Sequence, residues 1–445
     1  MSNFDITVGP GTQAKERPVY SRGAREVITA GLVKRYAAEK RFRMFGMAGI
    51  AFALLCLFTL FATVVGSGYT AFWQTMIKLD VTLYSQDIDP DGNRDREVIS
   101  TANFRMPVRQ AVFALFPEVK GRQEKRLLKK IISPGAAFQI RKIVLDDPSL
   151  IGSKIRILAP VSDDLDQFNK GHISAEVPES DRRVSDMQIA WFERLKQRGL
   201  IETTFNWTLF TEGDSREPEL AGILGALSGS FYTMVVTLLL SWPLAVGAAI
   251  YLEEFAPKNR WTEIIEVNIN NLAAVPSIVF GLLGLAVFLN FFGLPRSAPV
   301  AGGMVLALMT LPTIIIASRA SLKSIPPSIR EAALGLGATP LQVVFHYVLP
   351  LAMPGVLTGT IIGMAQALGE TAPLLMIGMV AFIVDIPGGF TDPATVMPVQ
   401  VYLWSDAPER AFIERASAAI LVLLGFLVMM NAAAVYLRRK FEKNW

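Results

Sequence analysis

Cysteine and histidine, from which many metal sites and nucleophiles are built, are almost absent from this chain of 445 residues. There is one cysteine, Cys56, and the two histidines, His172 and His346, lie far apart in the sequence. A single cysteine inside an apolar run excludes a disulfide framework within the chain and a cysteine-rich metal site. Two distant histidines do not favour a histidine-based site. We therefore expect no resident metal or other cofactor.

A phosphate-binding loop is also missing from the sequence. No segment has the pattern G-x-x-x-x-G-K-S/T, in which a glycine-rich backbone cradles the phosphates of a nucleotide. The chain is therefore not expected to be an enzyme that hydrolyses ATP. The net charge of +4 and the pI near 9.0 are not accompanied by a basic motif with interleaved aromatic residues, so nucleic-acid binding is not expected.

Charge is scarce, whereas apolar residues are abundant. Only 18% of the residues are charged, 51% are hydrophobic and the mean hydropathy is +0.38, which is more apolar mass than one soluble core needs. A helix crosses a hydrocarbon core with roughly 20 residues. The sequence predicts an all-α polytopic membrane protein with six spans, at 44–66, 220–252, 272–294, 299–318, 354–384 and 416–437.

Basic residues flank the first and the last predicted span. They are Lys34, Arg35, Lys40, Arg41 and Arg43 before the first span and Arg438, Arg439, Lys440 and Lys443 after the last. Because basic flanks remain in the cytoplasm, the pattern predicts a cytoplasmic segment at 1–43, a cytoplasmic tail at 438–445 and a multi-pass chain with both termini inside. Without a convincing cleavage site, 44–66 is expected to be a retained anchor.

A long charged segment, 67–219, separates the first two predicted spans. We expect it to be a small extracytoplasmic α+β domain, with strands at 78–84 and 154–158 and a helix at 184–200. Asp163, Asp164 and Asp166 stand close together, but the turn glycine and the closing glutamate of a calcium loop are missing. This cluster is more typical of a solvated acidic turn than of a cation site.

Proline and glycine punctuate the loop 324–350 between the fourth and fifth predicted spans. Ser328 is expected to cap a short helix that ends at Gly337, and Thr339 to cap a second helix that ends at Pro350. The predicted apolar face of the first helix comprises Ile329, Ala332, Ala333 and Leu336. This face either packs against the chain's own spans or needs a partner.

The fifth predicted span carries small residues and one carboxylate. Gly355, Gly359 and Gly363 repeat every four residues, which predicts close packing against another helix. Glu370 lies near the centre of 354–384, where a charge costs about 2.5–3.5 kcal/mol. Pro373 cannot donate an amide to the Gly369 carbonyl, so a free acceptor is expected beside the carboxylate.

Two roles remain open for Glu370: a buried structural bond or a place in a transport pathway. The pathway candidates are Arg319, Gln366, Glu370 and Thr371. Arg319, at the end of the fourth span, is the nearest cation that Glu370 would position if the pathway carries an anion. The alternative for Arg319 is that its side chain reaches out to the membrane interface.

The loop resembles the EAA motif of ABC importer permeases, which docks into a groove on the ATPase subunit. The matching residues are Glu331, Ala332, Ala333, Gly337, Leu349 and Pro350. Segments 249–257, 275–284 and 367–375 are similar to PstA-type phosphate permeases. Gln366 departs from that pattern, since the family often carries an arginine there. The segment 1–219 resembles a long N-terminal extension in one branch of the family.

This resemblance implies a MetI-like permease domain at 220–437 in a bacterial inner membrane, surrounded by lipid and preceded by an extra span. It further implies a PstC-like permease partner, two copies of a PstB-like ATPase that bind ATP and magnesium, and a PstS-like periplasmic phosphate-binding protein. The implied function is phosphate import by alternating access. The alternatives are an importer for another small anion, a secondary transporter or a membrane-anchored sensor.

Overall fold

The computed structural model describes residues 22–380 and 382–441 of the chain. The described chain divides into two compact units, one that ends at Thr63 and one that begins at Val64. Helix α1, Arg22–Gly68, provides the described part of the first unit and ends in the second. It begins well before the predicted span, because the Ala, Glu, Lys and Arg residues ahead of that span are good helix formers. The remainder of the predicted N-terminal segment, 1–21, and the end of the tail, 442–445, lie outside the described residues.

A three-stranded antiparallel sheet follows α1 in the second unit. Its strands are β1 (Trp73–Thr82), β2 (Lys154–Pro160) and β3 (Ile201–Phe205), in the spatial order β2, β1, β3. Alternate residues of β1 are fully buried, as the period of a half-buried strand requires. The sequence did not predict β3, because its five residues do not alternate apolar and polar side chains.

Eight α-helices accompany the sheet in the described chain between α1 and residue 220. They are α2 (Ser85–Ile88), α3 (Arg96–Thr101), α4 (Arg105–Leu115), α5 (Arg122–Leu128), α6 (Gly135–Asp146), α7 (Asp163–Asn169), α8 (Asp186–Gln197) and α9 (Thr208–Thr211). The prediction that the acidic cluster forms a solvated turn is wrong. Asp163, Asp164 and Asp166 form the first turn of α7, where the helix dipole favours carboxylates, and Asp166 is buried.

Ten further α-helices follow in the rest of the described chain. They are α10 (Leu224–Ile250), α11 (Arg260–Ala273), α12 (Ser277–Leu283), α13 (Pro299–Lys323), α14 (Pro327–Gly335), α15 (Pro340–Gln342), α16 (Leu349–Gly369), α17 (Ala372–Met376), α18 (Met397–Ser405) and α19 (Arg410–Phe441). Among the described residues, five helical stretches are long and apolar enough to cross a membrane: Lys34–Phe72, Leu224–Phe255, Pro299–Lys323, Pro340–Gly369 and Arg410–Lys440.

The third predicted span, 272–294, is not one straight helix. Helix α11 and the helical stretch Ser277–Phe291 meet at a bend of 104°. Pro276 lies at the break, where its ring cannot continue the preceding helix. The number of spans is six only if this bent pair counts as one, so the sixth span stays a prediction.

The fifth predicted span is wrong in its C-terminal half. Helix α16 ends at Gly369, and α17 is a separate short helix. Pro373 explains the end, because it lacks the amide that would bond the Gly369 carbonyl and because its ring crowds that carbonyl. Glu370 therefore lies at the end of a helix, with an extended backbone, and not at the centre of a span.

Candidate coupling and translocation site

A sharp elbow links α13 to α16. Helix α14 begins after Pro326, so the expected cap at Ser328 is wrong. Its C-terminal end turns at Gly337, whose φ of +87° lies in the left-handed region that favours glycine. Thr339 and Gln342 then form a reciprocal capping box, which starts the next helix. The loop is thus a helix, a glycine turn and a second helix.

Pro350 does not end the second helix, contrary to expectation. A π-helical turn, Val343–Val348, joins α15 to α16, and Pro350 lies in the first turn of α16. Backbone hydrogen bonds in a π-helical turn join residues five apart and not four apart. The helix can therefore continue through Pro350, although proline has no amide to donate. One helical stretch, Pro340–Gly369, therefore runs from the elbow into the membrane.

The elbow buries one apolar side and exposes another. Ala333 packs with Val343 and Val348 into a cluster that includes residues of α10. We call the exposed side the coupling patch; it consists of Leu334, Leu336, Leu341 and Phe345. Leu336 is 86% exposed, and Glu331 and Ala332 are exposed beside it. The predicted single apolar face is therefore divided, with Ala333 inside and Leu336 outside.

Arg330 attaches the elbow to two membrane helices. Its guanidinium donates to both carboxylate oxygens of Glu254, at 3.1 and 2.6 Å, just beyond α10. It also donates to the carbonyls of Leu322 and Ile325, at 2.9 and 2.7 Å, at the end of α13. Such a charged, two-pronged contact fixes both distance and orientation. Sequence reasoning missed this pair, because its partners are 76 residues apart.

Arg319 has other partners than the expected Glu370. Its guanidinium lies 2.6 Å from a carboxylate oxygen of Glu266 on α11 and 3.6 Å from one of Glu253. The proposed link between Arg319 and Glu370 is therefore wrong, because acidic residues at the same end of the helices neutralise this cation. Together with Arg330 and Glu254, these residues form a charged belt that joins α10, α11, α13 and α14.

The glycine ladder of α16 lies against α13. A Cβ atom added to Gly355 would collide with the side chain of Ser321, and one added to Gly359 would collide with Ala317. At Gly363 an added Cβ would lie 3.3 Å from Cγ1 of Ile314. The three glycines thus allow the two helix backbones to approach closely.

The polar residues at the end of α16 lie on an open side of the chain. Gln366 is exposed, and Glu370 and Thr371 are half-buried. Neither Gln366 nor Glu370 makes a side-chain hydrogen bond or ion pair to any residue that the structure describes. An exposed amide in an apolar helix is costly against lipid, so this side fits a second chain or an aqueous path.

A cleft of about 1300 Å³ lies between the sheet region and the segment after α17. Its basic side chains are Arg105, Arg109, Lys129, Lys130, Lys142 and Arg216. Burial raises the pKa of Glu219 to about 7, aided by the charges of Asp163 and Glu217. Burial and the neighbouring Asp164 raise the pKa of Asp163 to about 6. Within the described residues, no group of His, Cys, Asp or Glu side chains is arranged to hold a metal ion.

Comparisons with known proteins separate the chain into two parts. Residues 241–443 match the family model described as a binding-protein-dependent transport system inner membrane component. Residues 29–179 match a domain of unknown function, DUF3333. Most of the residues that line the cleft lie within the part that matches this domain of unknown function.

Named relatives match about half of the chain. A probable ABC transporter permease, YqgI of Bacillus subtilis, is 30% identical over 50% of this chain and 80% of its own length. The phosphate transport system permease PstA 1 of Mycobacterium tuberculosis is 30% identical over 52% and 75%. A solved methionine ABC transporter, MetNI, is 17% identical over 48% of this chain and 95% of its own, with a TM-score of 0.38.

Proposed function

This chain belongs to the family of binding-protein-dependent inner-membrane transport components, and from that premise we propose that it is the permease subunit of an ATP-driven importer of inorganic phosphate. Permeases of this family are multi-pass membrane proteins that work with a separate ATPase and a substrate-binding protein. The proposal adds a PstC-like permease, two PstB-like ATPase copies, a PstS-like phosphate-binding protein and cytoplasmic termini.

The elbow carries the coupling part of the proposal. The coupling patch exposes Leu334, Leu336, Leu341 and Phe345 on a rigid helix, glycine and helix unit. An exposed apolar patch on a rigid element is a typical docking surface for a partner. Because the stretch Pro340–Gly369 is continuous, movement of the patch would be passed directly to the fifth membrane helix. ATP-driven closure of the ATPase pair would then rock the two permease halves between inward and outward access.

The open side of α16 supports the proposal that this chain lines a translocation pathway. Gln366, Glu370 and Thr371 lie on a side of the chain where a second permease would complete an aqueous path. Glu370 would accept hydrogen bonds from donors on that second chain, since Arg319 is already paired within this one. In this proposal the carboxylate organises donors, and the anion itself is held by amides and cations.

The substrate is tested by uptake in cells that lack this chain. We expect loss of high-affinity uptake of radiolabelled phosphate and its recovery when the chain is restored. Intact phosphate uptake with loss of uptake of another small anion would instead support an importer for that anion. Uptake that persists when ATP is depleted but the membrane potential is kept would support a secondary transporter.

The coupling role is tested by Glu331→Lys. We expect the substituted chain to reach the membrane but to lose ATPase binding and phosphate uptake, because it places a cation on the docking surface. Glu176→Lys is the matched control, since Glu176 is also exposed but lies in the segment before the permease domain. Assembly and uptake that remain normal in Glu331→Lys would contradict the assignment of the coupling patch.

The pathway role is tested by Glu370→Gln and Glu370→Ala. If the carboxylate organises the path, both substitutions lower the phosphate uptake rate while ATPase binding stays intact. Loss in Glu370→Ala alone would indicate a packing role, and normal uptake in both would remove Glu370 from the mechanism.

A further inference from the structure

Four exposed aromatic side chains form a group at one end of the sheet. We call Tyr69, Trp73, Phe205 and Trp207 the interface cluster; their exposed fractions are 56%, 49%, 37% and 69%. Trp73 and Phe205 are register partners at the end of the β1 and β3 pair, with ring centroids 6.0 Å apart. Phe205 and Trp207 are 4.9 Å apart. The rings of Trp73, Phe205 and Trp207 are thus ordered against one another and yet exposed.

The backbone under these rings is fixed. Asn206 is buried and lies between two cluster residues in the chain. Its side-chain amide donates to the Ala71 carbonyl at 2.9 Å, and its backbone amide donates to the Phe72 carbonyl at 2.8 Å. Phe210, which is half-buried, stacks on both Phe72 and Phe205 at 5.9 Å. The two segments that carry the cluster therefore act as one rigid surface.

The cluster lies where the chain leaves and enters membrane-spanning helices. Tyr69 follows the last residue of α1 directly. On the other segment, α9 is bonded to the beginning of α10, because the Ile223 amide donates to the Leu209 carbonyl at 2.8 Å. The rings are therefore placed at the level where α10 begins its crossing of the bilayer.

The two segments that carry the interface cluster have no charged side chains of their own. The segments 69–77 and 203–211 contain no charged residue. The first charged pair along the sheet is Lys78 with Glu202, at 3.1 Å. Glu202 is three residues from Phe205, which is about 10 Å along a strand. The side chains of β1 and β3 thus change from uncharged and aromatic to charged over a distance similar to a bilayer's interfacial region.

We propose that the interface cluster binds the interfacial region of the adjacent lipid leaflet, with phospholipid as its partner. Trp and Tyr favour this region because an apolar ring faces the acyl chains while its N–H or O–H reaches the headgroups. Rings that lie in the interface are buried about 5–10 Å into the headgroup and acyl boundary. One end of the sheet region would then contact the bilayer directly, in addition to the covalent connection of this region to its flanking helices.

The proposal is tested on the full chain in vesicles of brominated phospholipid. The chain has seven tryptophans, so the contribution of Trp207 is obtained as the difference between the chain and Trp207→Phe. We expect bromine near the headgroup end of the acyl chain to quench most of this difference signal, and bromine near the methyl end to quench little. Trp191→Phe is the matched control, because Trp191 is 8% exposed and packs against Phe116; its difference signal should not respond to bromine.

A Trp207 signal that no brominated lipid quenches, but that dissolved iodide quenches, would overturn the proposal in favour of a water-exposed cluster. A Trp207 signal that neither brominated lipid nor iodide quenches when a second permease is present would also overturn the proposal, because the cluster would then bind protein. A second measurement is hydrogen exchange of β3 in Trp73→Ser/Trp207→Ser: we expect faster exchange only in vesicles, whereas faster exchange also in detergent would indicate a packing role.

Discussion

Glu219 is a carboxylate in a place where its charge is poorly compensated. The side chain is 3% exposed, and its Oε2 has no hydrogen-bond partner among the described residues. Burial raises its pKa to about 7 from 4.5, and the charges of Asp163 and Glu217 add to that effect. The folded chain therefore binds a proton at Glu219 more tightly than the unfolded chain does.

This proton binding predicts how stability depends on pH. Because the folded-state pKa is raised, the stabilising effect of the proton is complete below pH 4.5 and is lost as the pH rises through about 7. Between these limits the loss for Glu219 is on the order of 3 kcal/mol. We expect Glu219→Gln to remove most of this loss, measured as thermal midpoints at pH 5 and pH 8.

The control is Glu202→Gln, which removes an exposed carboxylate from β3. In this variant, the difference between the thermal midpoints at pH 5 and pH 8 should be the same as in the unmodified chain. An unmodified chain whose stability rises between pH 5 and pH 7 would contradict the raised pKa of Glu219.

At the scale of the element, the packing of α16 on α13 depends on glycine at Gly359. An added Cβ would collide with the Cβ of Ala317. We expect Gly359→Ala to destabilise the chain by about 1–3 kcal/mol, because overpacking forces the backbones apart. Ala317→Gly in the same chain should restore most of the loss by making room. The measurement is thermal unfolding in detergent, and equal stability of the single and double variants would argue against direct packing.

A second element-scale prediction concerns the attachment of α14. On the proposed function, Arg330→Met should raise the number of ATP molecules hydrolysed per phosphate imported, because the elbow is no longer held to Glu254 and to the end of α13. Lys323→Met is the control, since Lys323 is an exposed cation at the same end of α13. The swap Arg330→Glu/Glu254→Arg should recover part of the coupling. Unchanged coupling in Arg330→Met would mean that the contact only supports the fold.

At the scale of the whole molecule, buried charges join the sheet region to the last membrane helix. The Lys170 ammonium lies 2.7 Å from Asp166 and 2.9 Å from Glu414 on α19, and these side chains are at most 10% exposed. Asp166 also accepts from the Thr75 amide at 2.9 Å, and Gln167 donates to Glu414. The second unit is therefore held together by a polar contact as well as by apolar packing.

Removing the central cation should be costly. We expect Lys170→Met to destabilise the chain by about 3–5 kcal/mol, because two buried carboxylates lose the ammonium group that pairs with both of them. The exposed pair of Lys78 and Glu202 provides the control, and Lys78→Met should cost only about 0–1 kcal/mol. Both are measured as unfolding midpoints in detergent. Similar losses in the two variants would show that the Lys170 cluster is not effectively buried.

The sequence by itself determined which segments are apolar, where glycine and proline interrupt them and which family the chain belongs to. Gly337 and Thr339 follow from local chemistry, since a left-handed turn favours glycine and a cap needs a side-chain oxygen. The match of residues 241–443 confirmed the family assignment. The assignment could be made from sequence because its motifs are short runs of residues that can be recognised without coordinates.

Only the tertiary structure decided which residues meet across long separations. The pairing of Arg330 with Glu254, of Arg319 with Glu266 and of Lys170 with Glu414 joins side chains far apart in the sequence. The passage of the helix through Pro350 was also settled there. The physical reason is that periodicity and local propensity describe neighbours along the chain, whereas a charged side chain pairs with the oppositely charged group that tertiary packing places close to it.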